Sequence, residues 1–169
     1  IYLTTTRGMG APEARVCYER AESLCRSVNR PRLLYVALTA QWRYSLMTGK
    51  LTTTMQLADK VYSLAREQND PAALIRAYMA LAATHYYSGG FESARRYAAL
   101  GIQIWRSGDV ESQVEELDEP AIACLCHEGL CAWHFLHPDR GQAQVGQDGQ
   151  MGKQIEGLEH HANLRTDAV

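Results

Sequence analysis

Residues 63–91 read SLAREQNDPAALIRAYMALAATHYYSGGF, and a shift of 40 residues aligns them with residues 23–51, which read SLCRSVNRPRLLYVALTAQWRYSLMTGKL. The identities in this register include Ser23 and Ser63, Leu24 and Leu64, Arg26 and Arg66, Asn29 and Asn69, Pro31 and Pro71, and Gly49 and Gly89. Identities of so many residue types in one register are hard to obtain by chance. The alignment therefore indicates an internal repeat, the signature of a chain built from stacked units.

The residues that punctuate this repeat predict two helices in each unit. Pro31 and Pro71 each follow an Asn by two residues, and proline stops one helix but suits the first turn of the next. Gly49 and the pair Gly89-Gly90 are predicted to end helices with a positive φ. The segments between these marks are roughly 16–18 residues long and have helical periodicity. Each unit therefore reads as helix, tight turn, helix and short loop, and no stretch alternates as a strand does.

The predicted fold class is all-α, a single domain over residues 1–169 in which antiparallel helix pairs stack on one another. Helices are predicted near residues 11–29, 31–48, 51–69, 71–88, 91–106, 119–136 and 139–160. Residues 1–8 are predicted to finish an incomplete helix, so that the chain is a fragment of a longer one. Residues 107–119 carry six carboxylates and no Lys or Arg, which predicts an acidic, solvated insertion loop. Residues 141–169 contain several glycines and are predicted to form an irregular capping helix.

The turn of the second full unit resembles the turn of tetratricopeptide repeats, in which a Gly, an aromatic residue and an Ala recur. This stretch reads Gly89-Gly90-Phe91-Glu92-Ser93-Ala94. Counting back from the glycines, Tyr78, Leu81 and Ala82 fall on the packing positions of the family's first helix. The resemblance implies a right-handed superhelical stack of about seven helices, with units longer than the family's usual length.

A narrower resemblance is to the C-terminal repeat region of large bacterial signalling ATPases, many of which carry a class III adenylate or guanylate cyclase domain. The motifs are Gly8-Met9-Gly10-Ala11-Pro12-Glu13, Tyr18-Glu19-Arg20-Ala21-Glu22, Gln41-Trp42-Arg43-Tyr44 and Leu136-His137-Pro138-Asp139. The resemblance implies a regulatory scaffold in a cytoplasmic protein, and it does not imply that this segment cyclises or hydrolyses a nucleotide. The first repeat is predicted to be incomplete, so its outer face has no further repeat to cover it. Such a face favours pairing with a second copy of the chain, and a homodimer is one expected assembly.

Composition and charge bear on the class of partner. The chain is 46% hydrophobic and 21% charged, which is typical of globular domains. Its net charge of −2 gives no reason to expect nucleic acid or an anionic membrane as a partner, and no apolar run reaches the roughly 20 residues of a membrane span. The five cysteines have no disulfide-like spacing, which predicts a reducing, cytoplasmic compartment with the thiols mostly packed in the core.

Three partial signals for chemistry each fall short of a site. The pair Gly49-Lys50 lacks the upstream Gly and the following Ser or Thr of a phosphate loop. Ligand-type residues cluster at Cys124, Cys126, His127, Cys131, His134 and His137. Because a helix rises about 1.5 Å per residue, one helix offers an ion two neighbouring ligands rather than four, and an ion shared with another segment remains the alternative. Cys131 could contact His127 or His134, but a hydrolase also needs a cleft and an oxyanion site. The sequence therefore predicts no cofactor, no metal and no catalytic residue.

The first helices of the units predict a concave face for a protein or peptide partner, or for other domains of a parent chain. The candidate residues given by the repeat register are Thr39, Arg43, Leu46, Arg76, Met79, Tyr86, Tyr87, Trp133 and His134. Arg and Tyr are frequent anchors of interfaces. Tyr86, Tyr87 and Trp133 have an alternative interpretation as packing between repeats. A second functional alternative is a sensor that binds a small-molecule effector between helices, near Trp42 or Trp133.

Overall fold

The computed structural model of the chain describes residues 10–107 and 120–137, which form six α-helices and no β-strand. The helices are α1 Pro12–Ser27, α2 Pro31–Met47, α3 Leu51–Gln68, α4 Pro71–Tyr87, α5 Phe91–Arg106 and α6 Pro120–Leu136. The all-α prediction is confirmed for these residues, and each predicted helix boundary lies within two residues of the observed one. The predictions for residues 1–8, for the insertion loop after Ser107 and for the seventh, capping helix lie outside the described residues.

The helix ends follow from single residues. Proline is the first residue of α1, α2, α4 and α6. At this position a backbone N–H would have no acceptor within the helix, so proline, which lacks one, breaks no helical hydrogen bond. At the start of α4, the Asp70 carboxylate accepts hydrogen bonds from the backbone N–H groups of Ala72 and Ala73. Asn69 ends α3 in the left-handed conformation with φ of 48°, and Gly49 turns the chain after α2 with φ of 71°.

One detail of the turn prediction is wrong. Gly89 has a positive φ of 80°, as predicted, but Gly90 has a φ of −85° and is the N-cap residue immediately before α5. A glycine suits position 90 because the His85 side chain comes close to it. A Cβ at this position would lie 3.3 Å from the Nδ1 atom of His85. Gly90 therefore leaves room for a neighbouring ring rather than supplying a positive φ.

The observed helix boundaries repeat along the chain. Helices α2 and α4 are both 17 residues long and begin at Pro31 and Pro71, and α3 and α5 begin at Leu51 and Phe91. Both pairs of helices therefore start 40 residues apart. Helices α1, α2, α3 and α4 each pack against the next one along the chain.

Hydrogen bonds fix the directions of these helices. The Gln68 side chain at the end of α3 donates to the Pro31 carbonyl at the start of α2, so α2 and α3 are antiparallel. The Tyr35 hydroxyl donates to the Ala73 carbonyl over 3.0 Å near the starts of α2 and α4. Farther along both helices, the Trp42 indole N–H donates to the Thr84 hydroxyl over 2.9 Å. Helices α2 and α4 therefore lie side by side and run in the same direction.

Small side chains fill much of the core and allow close packing of the helices. Five alanines of α4 and α5 are buried: Ala80, Ala82, Ala83, Ala94 and Ala98. One close approach is at Gly101 of α5, where a Cβ would lie 2.7 Å from the Sγ of Cys124 in α6. Leu81 and Val61 are the largest fully buried side chains among the described residues. The core therefore depends on glycine and alanine at the helix contacts as much as on large side chains.

Residues 133–137, the last described turn of α6, fall into a different compact unit from the residues up to Ala132 and are described by themselves. Within this turn the ring of Trp133 stacks on the ring of His137 at a centroid distance of 5.0 Å. Among the described residues, no helix combines the length and apolarity needed to cross a bilayer.

Candidate protein-binding surfaces

The outward side of α2 and α4 forms the first candidate surface, called here the first-helix face and defined by Val36, Arg43 and Met47 of α2 with Arg76 and Tyr87 of α4. Val36, Arg43 and Met47 follow one another at intervals of seven and four residues, which places them on one side of the helix. Val36 is 62% exposed and Met47 is 53% exposed. Arg76 and Tyr87 are eleven residues apart and share one side of α4 in the same way.

Arg76 lies at the junction of α2 and α4. Burial raises the pKa of the Tyr35 phenol to about 12, and the positive charge of Arg76 opposes this rise. The Tyr35 hydroxyl itself donates to the Ala73 carbonyl of α4. An arginine of the predicted set on α4 therefore acts electrostatically on a side chain of the neighbouring first helix.

The other α2 and α4 candidates differ in their exposure. The partly buried Thr39 donates its hydroxyl to the Tyr35 carbonyl over 2.9 Å, and Leu46 packs against the core. Met79 is only 5% exposed, so it belongs to the core and offers almost no surface to a partner.

Tyr86 and Tyr87 have different surroundings. The partly buried Tyr86 ring meets Phe91 of α5 and His127 of α6 edge-on, at centroid distances of 5.5 and 5.8 Å. This arrangement agrees with the alternative interpretation of Tyr86 as packing between helices. The Tyr87 ring also meets Tyr86 edge-on, but Tyr87 is 57% exposed and remains available to a partner.

The last two candidates lie in the separate turn of residues 133–137. Trp133 is exposed and its ring lies edge-on to that of His134, whereas His134 is buried. Residues 133–137 are described by themselves, so the surroundings of these two side chains are given only within that turn. They therefore play no part in the proposals below.

A second surface, which the sequence reasoning missed, is a row of three tyrosines from consecutive helices. In this tyrosine row, Tyr62 of α3 contacts Tyr78 of α4 at a centroid distance of 5.5 Å, and Tyr78 stacks with Tyr97 of α5 at 6.3 Å. The guanidinium of Arg66 lies 5.8 Å from the Tyr62 centroid, and that of Arg96 lies 5.2 Å from the Tyr97 centroid. A cation therefore covers the ring at each end of the row.

The His85 ring extends the tyrosine row on α4, stacking on Tyr97 at a centroid distance of 5.4 Å. Partial burial lowers the pKa of His85, Asp59 opposes this change with its negative charge, and Arg96 reinforces it. Burial also raises the pKa of Tyr78, and its contact with Tyr62 raises it further. His85 and Tyr78 therefore both favour their neutral forms.

The cysteines differ from the sequence prediction. Cys124 and Cys131 are fully buried, but Cys17 and Cys126 are exposed and Cys25 is intermediate, so the expectation of mostly buried thiols is wrong. Across residues 10–107 and 120–137, no three His, Cys, Asp or Glu side chains come together in a way that could hold a metal ion.

We expect iodoacetamide at pH 8 to alkylate Cys126 at least about a hundredfold faster than Cys124 in the folded chain. Burial raises the pKa of Cys124 to about 12, so only about one thiol in ten thousand is ionised at that pH. Tandem mass spectrometry of time points reads both sites. The same labelling in urea is the control, in which both cysteines should react alike; equal rates in the folded chain would contradict the buried position of Cys124.

Comparison of the chain with protein families, with curated proteins and with solved structures found no match.

Proposed function

We propose that this chain is a non-catalytic, protein-binding repeat domain in which the first helices present a shared face to a protein or peptide. In this proposal the helix pairs continue into a right-handed superhelical stack of the tetratricopeptide kind. The domain would serve as a regulatory scaffold of a cytoplasmic bacterial signalling protein, as the resemblance of its motifs implies. The observation that carries the proposal is the parallel alignment of α2 and α4, whose starts are 40 residues apart.

The parallel alignment supports a stack because it is the relation expected between equivalent helices of successive repeats. The antiparallel α2 and α3 form one helix pair, and α4 follows with its start beside the start of α2. The bond from Trp42 to Thr84 repeats the relation farther along the two helices. A further pair added in the same way would extend the side-by-side alignment of the first helices.

The chemistry of the first-helix face supports a protein partner. Its exposed aliphatic groups, Val36 and Met47, can lose water on binding, and such side chains favour apolar contact. Arg43 and Arg76 add guanidinium groups, and Tyr87 adds an amphipathic ring, which are the residue types enriched at interface anchors. A peptide with apolar side chains and a carboxylate would complement this combination.

The test is selection of peptides on the purified chain followed by affinity measurement. A random peptide library displayed on phage is panned against the immobilised chain, and enriched peptides are resynthesised with a fluorophore for anisotropy titration. The double variant Arg43→Ala with Arg76→Ala is expected to raise Kd at least about tenfold, because truncating an anchor arginine costs more than about 1 kcal/mol.

The matched control is Arg20→Ala with Arg106→Ala, which removes the same charge from exposed positions on α1 and α5. We expect less than a twofold change in this control. The proposal fails if the panning enriches no peptide. It also fails if the Arg43 and Arg76 variant, folded by circular dichroism, binds the enriched peptides as tightly as the original chain.

A further inference from the structure

We propose that the tyrosine row, with Arg66 and Arg96, is a second binding site and that it takes a carboxylate-rich peptide segment of a partner protein. The site lies away from the first-helix face. Tyr78 follows Arg76 by two residues, a rotation of about 200° around the helix axis, so the two side chains leave opposite sides of α4. His85 follows Tyr78 by seven residues and shares its side.

The two arginines are held in place without a carboxylate partner. Both are exposed, and each guanidinium lies over a tyrosine ring rather than in an ion pair with any described Asp or Glu. Elsewhere in the described chain, Arg15 and Arg26 are paired with Glu19 and Glu22 along α1. Stacking on a ring restricts the guanidinium but leaves the N–H groups at its edge available. These N–H groups can bind a carboxylate through two parallel (bidentate) hydrogen bonds.

The tyrosines add further donors and apolar surface. All three are partly exposed, and burial followed by a side-chain hydrogen bond with Tyr62 raises the pKa of Tyr78, so the phenol stays neutral. A neutral hydroxyl can donate to a carboxylate oxygen, while the ring bodies contact the aliphatic part of a Glu side chain. The row therefore offers cations, hydroxyl donors and apolar contact on one continuous strip.

The charges around the tyrosine row determine where an anion would bind, and the row has Arg66 at one end and Arg96 at the other. The carboxylate of Asp59 acts on His85, so the most favourable positions for an anion are those beside Arg66 and Arg96.

The packing of the rings argues for a peptide rather than single-stranded nucleic acid. Binding of single strands depends on aromatic faces that are free to stack on bases. In the row, Tyr78 is flanked by two tyrosines, Arg66 lies over Tyr62, and Tyr97 is covered by His85 and Arg96. The surface that remains consists of guanidinium edges, hydroxyl groups and the outer edges of partly exposed rings, which suits a carboxylate side chain rather than a stacked base.

The test uses a fluorescein-labelled peptide of eight glutamates, with a peptide of eight glutamines and a single-stranded thymidine oligonucleotide as comparison probes. Anisotropy titration of the full chain at low salt is expected to show binding of the glutamate peptide and none of the glutamine peptide. The double variant Arg66→Gln with Arg96→Gln should weaken glutamate binding about tenfold. The variant Arg20→Gln with Arg106→Gln, which removes the same charge from positions off the row, should change it less than twofold.

A third variant separates charge from geometry. Arg66→Lys with Arg96→Lys keeps both charges but loses the planar group that stacks on the rings, and we expect it to bind several times more weakly than the original chain. Equal weakening by the row variant and by the Arg20 and Arg106 variant would overturn the proposal, and so would failure to bind the glutamate peptide. Tighter binding of the oligonucleotide with the same dependence on Arg66 and Arg96 would overturn the choice of partner. The glutamate peptide is not chosen for its binding to the first-helix face. If it fails to bind the tyrosine row, the result of the peptide selection that tests the first-helix face is unaffected.

Discussion

Trp42→Ala is expected to lower the free energy of unfolding by about 3–5 kcal/mol, because it empties the largest aromatic position between α2 and α4. Trp42 is 3% exposed and belongs to the main core cluster. Its indole N–H donates to the Thr84 hydroxyl, and that hydroxyl donates in turn to the Ala80 carbonyl over 2.7 Å. Urea denaturation followed by far-UV circular dichroism measures the loss.

A double-mutant cycle separates the ring from its hydrogen bond. Thr84→Val leaves the buried indole N–H without an acceptor and should cost about 1–3 kcal/mol, whereas Thr84→Ser keeps the hydroxyl and should cost less. In the Trp42→Phe background the indole N–H is gone, so Thr84→Val should cost distinctly less than in the original chain. If Thr84→Val costs the same free energy of unfolding in both backgrounds, the two substitutions are additive. The hydrogen bond between α2 and α4 then does not contribute to stability.

Helix boundaries could be predicted from the sequence because the signals that set them are local. Pro31 and Pro71 open helices, and Gly49 and Asn69 end them, through the conformations of those residues alone. The repeat gives each boundary residue a second occurrence, since the same residue types recur 40 positions apart. The predicted positive φ of Gly90 is wrong because the role of this glycine depends on the nearby ring of His85. A rule based only on the residue types next to a helix end does not include that contact.

The surfaces were harder to predict, because exposure depends on which helices cover a position. The repeat register equates Thr39 with Met79, yet Thr39 is partly open and Met79 is in the core. The tyrosine row has no sequence signature, because Tyr62, Tyr78 and Tyr97 come from three helices and are separated by unequal intervals. Only the packing of α3, α4 and α5 brings them together. A periodic pattern therefore identified the helices more accurately than the side chains available to a partner.

The contact between α5 and α6 provides the last prediction, a substitution whose effect should change sign with its background. Gly101→Ala places a Cβ where the Sγ of Cys124 would be only 2.7 Å away, so we expect a loss of about 1–3 kcal/mol from overpacking. In the Cys124→Ala background the sulfur is gone, and the nearest remaining atoms are the Cβ of Tyr78 at 3.5 Å and the Cβ of Cys124 at 3.7 Å. Those distances are ordinary contacts.

With the obstruction removed, Gly101→Ala should become stabilising by up to about 1 kcal/mol, because alanine is favoured over glycine inside a helix. The four chains of this cycle are compared by urea denaturation, with Gly129→Ala in α6 as the control, since a Cβ at Gly129 would meet no atom within 4 Å. The control should be neutral or stabilising in both backgrounds. If Gly101→Ala is stabilising even when Cys124 is present, the sulfur must move aside without cost, and glycine is then not required for α5 and α6 to pack this closely.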